Sequence, residues 1–178
     1  VPGERIAVSE LLETLRSMSV QYGSQVIPDL RNSLDLRLFN VCRSYLFPSH
    51  YPVDVLVRAD ERGELFETVR TLSGGQMFLS TTKPGVTRGN HYHARKLERF
   101  LVVKGEAVIR LRKLFSNEVV EFRVSGRKPQ YIDMPTFHTH DITNVGQDEL
   151  ITAFWAHEIF DQKDTDTFLE SVEKNEQA

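Results

Sequence analysis

Gly85-Val86-Thr87-Arg88-Gly89-Asn90-His91-Tyr92-His93-Ala94-Arg95-Lys96-Leu97-Glu98 is the stretch that decides the fold of this chain. Residues i and i+2 of a strand share a face, so His91 and His93 can aim at one point, and Glu98 can join them from the next strand after a turn. Neutral imidazole nitrogen plus carboxylate suits a divalent ion of the zinc, iron, manganese or nickel type. A fourth ligand is available in Pro135-Thr136-Phe137-His138-Thr139-His140-Asp141-Ile142-Thr143-Asn144, a turn leading into another strand. His140 is the expected ligand there, and His138, two residues earlier on the same face, is its competitor or a pocket acid/base group. An isolated His-x-His pair is commonly just two strand histidines, and it is the surrounding spacing that favours a ligand cluster.

Outward from this segment, everything after Tyr51 reads as short β-rich runs punctuated by glycines at 63, 74, 75, 85, 89, 105, 126 and 146. Strands are expected over 53–58, 76–82, 99–104, 106–113, 130–134 and 150–156. Val120, Phe122 and Val124 alternate with Glu121 and Arg123, which predicts one face in a core and one in water. Before residue 48 the periodicity is helical. Leu11, Leu12, Leu15, Met18 and Tyr22 predict a helix over 9–22 with Ser9 as its N-cap and Gly23 at its end. Leu34, Leu38, Val41 and Tyr45 predict a second helix, starting near Asn32 or Ser33 and stopping before Pro48. The stretch from Asp161 is acidic and polar around Phe168 and Leu169, so a short helix or frayed tail is expected.

The 178 residues carry 22 basic and 25 acidic side chains, a formal net charge of -3, spread along the chain. No basic face is available to neutralise a phosphate backbone, which argues against nucleic acid. No apolar run approaches a membrane span, and Cys42, the only cysteine, excludes an intrachain disulfide. No signal peptide is evident, so a cytoplasmic location is expected. The opening Val-Pro-Gly-Glu without Met suggests a processed or excised piece of something longer.

With these residues in place, the chain resembles the cupin superfamily. The first cupin motif is Gly, five residues, His-x-His, three or four residues, Glu, six residues, Gly, and Gly85, His91, His93, Glu98 and Gly105 meet each spacing. The second motif is met by Pro135, His140 and Asn144, with Phe137 and Pro129 standing where glycines are expected. The resemblance implies a mainly β fold, a cupin (jelly-roll) barrel at 51–160, preceded by a helical connector at 1–50 and followed by a helix or tail at 161–178. A closer resemblance, over roughly 27–168, is to the C-terminal cupin domain of bifunctional capsular polysaccharide enzymes of the CapF/WbjC type. It rests on Asp60, Arg62, Gly63, Leu65 and Glu67, then Gly75-Gln76, the 83–93 segment, Lys96 and Glu98, Val124-Ser125-Gly126, Asn144-Val145-Gly146 and Phe154-Trp155.

That family implies a metal-dependent epimerase, most simply with zinc, that inverts C3 of a UDP-linked 4-keto-6-deoxy-N-acetylhexosamine for surface polysaccharide. The chain lacks a Gly-rich dinucleotide fingerprint, so NADP(H) would belong only to a separate N-terminal reductase domain that the helices connect to. The resemblance also implies a homodimer with its interface at 51–72. Lys96, His138 and Tyr131 are the candidate acid/base residues. Arg62, Glu67, Arg88 and Asn90 are candidate substrate contacts, although Arg62 and Arg88 could instead form ion pairs with Asp60 or Glu67. Two rival functions stay open, a 3,4-ketoisomerase of a dTDP-4-keto-6-deoxy sugar and a non-catalytic sugar- or metal-binding dimerisation module. The metal could instead be structural, pinning the barrel.

Overall fold

The computed structural model describes Gly3 and residues 5–174. Two helices, α1 (Val8–Gly23) and α2 (Ser33–Leu46), pack on each other through Met18, Phe39 and the edge of Tyr22, whose ring lies 5.1 Å from that of Phe39. The Asn32 side chain accepts a hydrogen bond from the Leu34 amide and caps α2 as expected. Ser9 does not cap α1. The helix begins one residue earlier, behind Ala7, and has no side-chain cap. Ile27 forms an isolated bridge to Thr71 and so joins the helical segment to the β-region.

Two antiparallel sheets face each other. In the first, β1 (Val57–Asp60), β2 (Gly63–Thr71), β3 (Gly75–Thr82), β10 (Leu150–Ala156), β5 (Glu98–Lys104) and β8 (Tyr131–Met134) are neighbours in that order. In the second the order is β11 (Phe168–Leu169), β4 (Thr87–Tyr92), β9 (His138–Asn144), β6 (Glu106–Lys113) and β7 (Val119–Ser125). From β3 onward consecutive strands cross between the sheets, except in the β6–β7 hairpin, the pattern of a jelly roll. The core between them holds Phe100, Val102, Ala107, Ile109, Leu111, Val124, Met134, Ile142 and Leu150.

Register fixes which side chains point inward, because directly paired residues share a face. In the first sheet the row Glu98, Ala156, Gln76 lies inward, and beside it the row Phe100, Phe154, Phe78, Glu67. In the second sheet His91 pairs with His140, which pairs with Leu111, and all three share the inward face.

Four expectations are corrected. The strand expected at 53–58 begins only at Val57, and β2 follows where no strand was expected, because its inward side carries Glu67 rather than an apolar run. In β7 only Val124 is buried, with Val120 and Phe122 exposed, since β7 is an edge strand that overhangs the core. Residues 161–174 contain no helix. They run instead as a strap across the second sheet, pairing Phe168 with Tyr92 and Leu169 with His91 and burying Val172 completely.

Candidate metal centre

His91, His93, Glu98 and His140 converge, with one ligand atom from each lying within 4.8 Å of the others. His91 comes from the end of β4, His140 from the centre of β9, and Glu98 from the first residue of β5 in the facing sheet. His93 lies just past β4, in a loop. Ring centroids are 4.6 Å apart for His91 and His140, 5.0 Å for His91 and His93, and 5.5 Å for His93 and His140. Phe100 closes the apolar side, its ring 5.6 Å from His140.

The bulge that aims His91 is built from Gly89 and Asn90, both at positive φ (107° and 59°). At Gly89 a Cβ would stand 2.6 Å from the His140 carbonyl oxygen, so only glycine lets the two ligand strands approach this closely. Phe137, where the second motif expects glycine, still adopts positive φ (58°). Its amide donates to the His93 carbonyl and its carbonyl accepts from Leu114, so the backbone holds the turn that glycine would otherwise favour.

Hydrogen bonds to the ring nitrogens show what the cluster needs. His93 Nδ1 lies 2.5 Å from the Asp166 carbonyl and His140 Nδ1 3.3 Å from the His138 carbonyl, so both rings spend their N–H on backbone oxygens. Their Nε2 lone pairs then face Glu98 Oε2, at 3.0 and 3.7 Å, and both buried Nε2 atoms are without a hydrogen-bond partner. Two lone pairs and a carboxylate aimed at one buried point require a cation, a proton or a metal ion, between them. A zinc-type ion fits this donor set of three imidazoles and one carboxylate.

The electrostatics agree. Burial, reinforced by His140, holds the His91 ring down to about 4, so it is neutral at pH 7. Burial pushes the Glu98 carboxyl up, but the His140 and His93 rings beside it outweigh that and hold it well below the usual carboxylate range. Burial likewise depresses His93, and contact with Glu98 overcomes it and leaves that ring raised.

The other sequence candidates fall into separate places. His138 shares the inward face with His140 but lies outside the cluster, with Nδ1 2.9 Å from the Thr136 carbonyl. Lys96 is buried rather than solvated, and its Nζ donates to the Thr165 carbonyl at 2.8 Å. Tyr131 is on the outer face of the first sheet, 56% exposed and stacked under the Arg99 guanidinium at 3.8 Å. Its register opposite Leu101 turns it away from the cluster. Arg88 pairs with inward Ile142 and reaches across to the Thr82 hydroxyl, the Thr81 carbonyl and, at 3.7 Å, Asp60. Arg62 is bound to Asp60, and Glu67 to Arg70. Asn90 serves the strap: its side chain accepts the Val172 amide.

The sequence reading missed Asp166 and Arg112. The Asp166 carboxylate accepts three successive amides, Ala94, Arg95 and Lys96, at 3.0, 3.0 and 2.7 Å. Arg112, 1% exposed, donates to Glu170 and to the carbonyls of Ser116, Ser171 and Val172. Neither has a local sequence signal, because every strap partner lies about sixty or more residues away.

Comparison with known proteins matches residues 58–168 to the family of polysaccharide biosynthesis C-terminal domains. The chain is 36% identical over 171 residues, 96% of its length, to a UDP-2-acetamido-2,6-beta-L-arabino-hexul-4-ose reductase of Pseudomonas aeruginosa, of which it covers 46%. Its fold superposes on the capsular polysaccharide assembling protein CapF of Staphylococcus aureus with a TM-score of 0.88 and 34% identity, covering 97% of this chain and 47% of that one. A second structure of CapF, with the inhibitor 3-isopropenyl-tropolone, gives a TM-score of 0.85. The chain spans about half the length of these relatives. It belongs to the family of polysaccharide biosynthesis C-terminal domains, the cupin part of CapF-type proteins.

Proposed function

We propose that this domain is a metal-dependent sugar-nucleotide epimerase that inverts C3 of a UDP-linked 4-keto-6-deoxy-N-acetylhexosamine, in the synthesis of surface polysaccharide precursors. The observation that carries the reading is the buried three-histidine, one-carboxylate cluster with two Nε2 lone pairs left over. The name of the Pseudomonas relative supports the substrate class, since a hexul-4-ose has its ketone at C4, beside C3. A C–H next to a ketone is acidic enough for a side-chain base, whereas an isolated sugar C–H is not.

A zinc-type ion held by His91, His93, Glu98 and His140 would supply Lewis-acid polarisation of the C4 oxygen. The chain's own residues would do the rest. His138, at the rim of the inward face, donates Nδ1–H to the Thr136 carbonyl, which leaves its Nε2 lone pair as the base for the C3 proton. Lys96, within the loop between β4 and β5 and held by Thr165, is the second proton-transfer candidate. A cavity of about 410 Å3, lined by Leu65, Glu67, Arg70, Gln76, Phe78 and Phe160 among others, opens on the inward side of the first sheet. Its size suits a sugar nucleotide, and its Phe78 and Glu67 continue the row that begins at Phe100 beside His140.

The same reading assigns the helical segment to a connector toward an NADP(H)-dependent reductase domain, and residues 51–72, rich in exposed Val53, Val55, Leu56, Val57, Val69 and Leu72, to a homodimer interface. Among the described residues no helix is long and apolar enough to cross a membrane.

The experiment is isotope exchange. Zinc-loaded protein incubated in D2O with a UDP-4-keto-6-deoxy-N-acetylhexosamine should place deuterium at C3, and His91→Ala should reduce the rate at least 100-fold. Keto migration in place of exchange with inversion would move the assignment to the ketoisomerase class. Absence of both would leave only a binding module.

A further inference from the structure

The loop between β4 and β5 carries His93 and delivers Glu98, yet residues 93–97 belong to no strand and have no ladder to hold them. His157 holds Leu97 at one end and the Phe137 amide takes the His93 carbonyl, but most of the loop is held by one residue 70 to 73 positions away. The Asp166 carboxylate collects the amides of Ala94, Arg95 and Lys96, and the carbonyl of the same residue takes the His93 Nδ1–H. Asp166 is itself 7% exposed and sits at positive φ (42°), locked in the strap by Thr165 on one side and by the Asn90 and Arg112 contacts on the other. A single strap residue thus fixes the tautomer of the His93 ring and three successive amides of the backbone between His93 and Glu98.

We infer that Asp166 is a positioning residue for the metal centre, and that strap and metal ligands form one unit in which the carboxylate sets the affinity for the ion. This rests on the reading of the cluster as a metal site. Loss of the outer support of a ligating histidine typically costs 10- to 100-fold in metal affinity; the Asp166 carbonyl on His93 survives substitution, so the carboxylate acts by fixing, through three amides, the backbone that follows His93. A merely structural Asp166, pinning the chain end to the barrel, would change melting temperature and leave the affinity of the folded protein alone.

The test is zinc affinity, measured by competition with a fluorescent chelator well below the melting temperature, for the wild type, Asp166→Ala, Asp166→Asn and Glu170→Ala. The last removes the strap's ion pair to Arg112 but leaves Asp166 on the loop. Asp166→Ala should bind zinc 10- to 100-fold more weakly and Asp166→Asn, which keeps one acceptor oxygen, less so. Glu170→Ala should stay within twofold of the wild type. The inference is overturned if Asp166→Ala, or Asp166→Asn where only that variant folds, remains within twofold, or if Glu170→Ala loses as much affinity. A wild type that does not bind zinc would instead remove the metal-site reading itself, and this inference with it.

Discussion

His140 and His93 end at the same point but are held there by different means. His140 is in the middle of β9, a strand paired on both sides by β4 and β6, and is fully buried. Its position follows from two ladders of backbone hydrogen bonds, and no side chain is needed to aim it. His93 has left its strand and is aimed by a carbonyl and a carboxylate from the strap. His140 is therefore as stable as the sheet, whereas the aim of the His93 ring depends chiefly on the docking of residues 165–173. Local opening free energies differ across a fold in this way, with the low end found in segments held by few contacts.

The largest separation of the two should come from Arg112→Met. The guanidinium is buried and binds Glu170 and three carbonyls, so its removal leaves those acceptors unpaired and should cost about 4 kcal/mol of strap docking. Hydrogen exchange would then show the Ala94, Arg95 and Lys96 amides losing protection while the β6–β9 ladder keeps it. Equal loss in both would mean that the segments open together.

Gly89→Ala tests the opposite side. A Cβ at φ 107° would meet the His140 carbonyl at 2.6 Å and the Asp141 Cα at 2.8 Å, so β4 must move off β9. A destabilisation of about 3 kcal/mol is expected in urea unfolding. Both His91 and His140 should be displaced, and zinc binding should fall with them.

The same contrast explains what the sequence made legible. His91, His93 and Glu98 lie within eight residues, so strand geometry and one turn were enough to bring them together, and β9 announced itself by Pro135, His140 and Asn144 at fixed intervals. Positive φ at Phe137 shows that the spacing carried the turn even without its glycine. The strap was unreadable for the converse reason. Its partners are distant in sequence, its residues are polar without a period of 2 or 3.6, and a two-residue strand leaves no alternation to detect. Val120 and Phe122 were misplaced because alternation reports two faces and not whether a facing sheet extends far enough to cover one of them.

Acid should weaken the strap before the sheet. Burial raises the Asp166 carboxyl, but its three backbone donors outweigh that and hold it below the usual carboxylate range. Its folded value thus lies under its unfolded one, so its contribution is complete above about pH 4 and is lost as pH falls through the folded value. In metal-free protein, Asp166→Asn should be less stable than the wild type by about 2 kcal/mol at pH 7, with the gap narrowing below pH 4. A gap that stays constant down to pH 2 would show that the carboxylate charge does not contribute.

Tyr131→Phe marks the small end of the scale and bears on the cupin's inward face as a whole. Tyr131 was a candidate proton donor on sequence grounds, and register opposite Leu101 places it on the outer surface over Arg99. Loss of its hydroxyl leaves the ring against the guanidinium, so stability should change by less than about 0.5 kcal/mol and C3 exchange by less than twofold. His138→Ala, on the same side as the ligands, should slow exchange far more at unchanged zinc affinity. A slow Tyr131→Phe together with a normal His138→Ala would mean that the proton enters from the outer face, which would require a second chain to bring that face to the substrate.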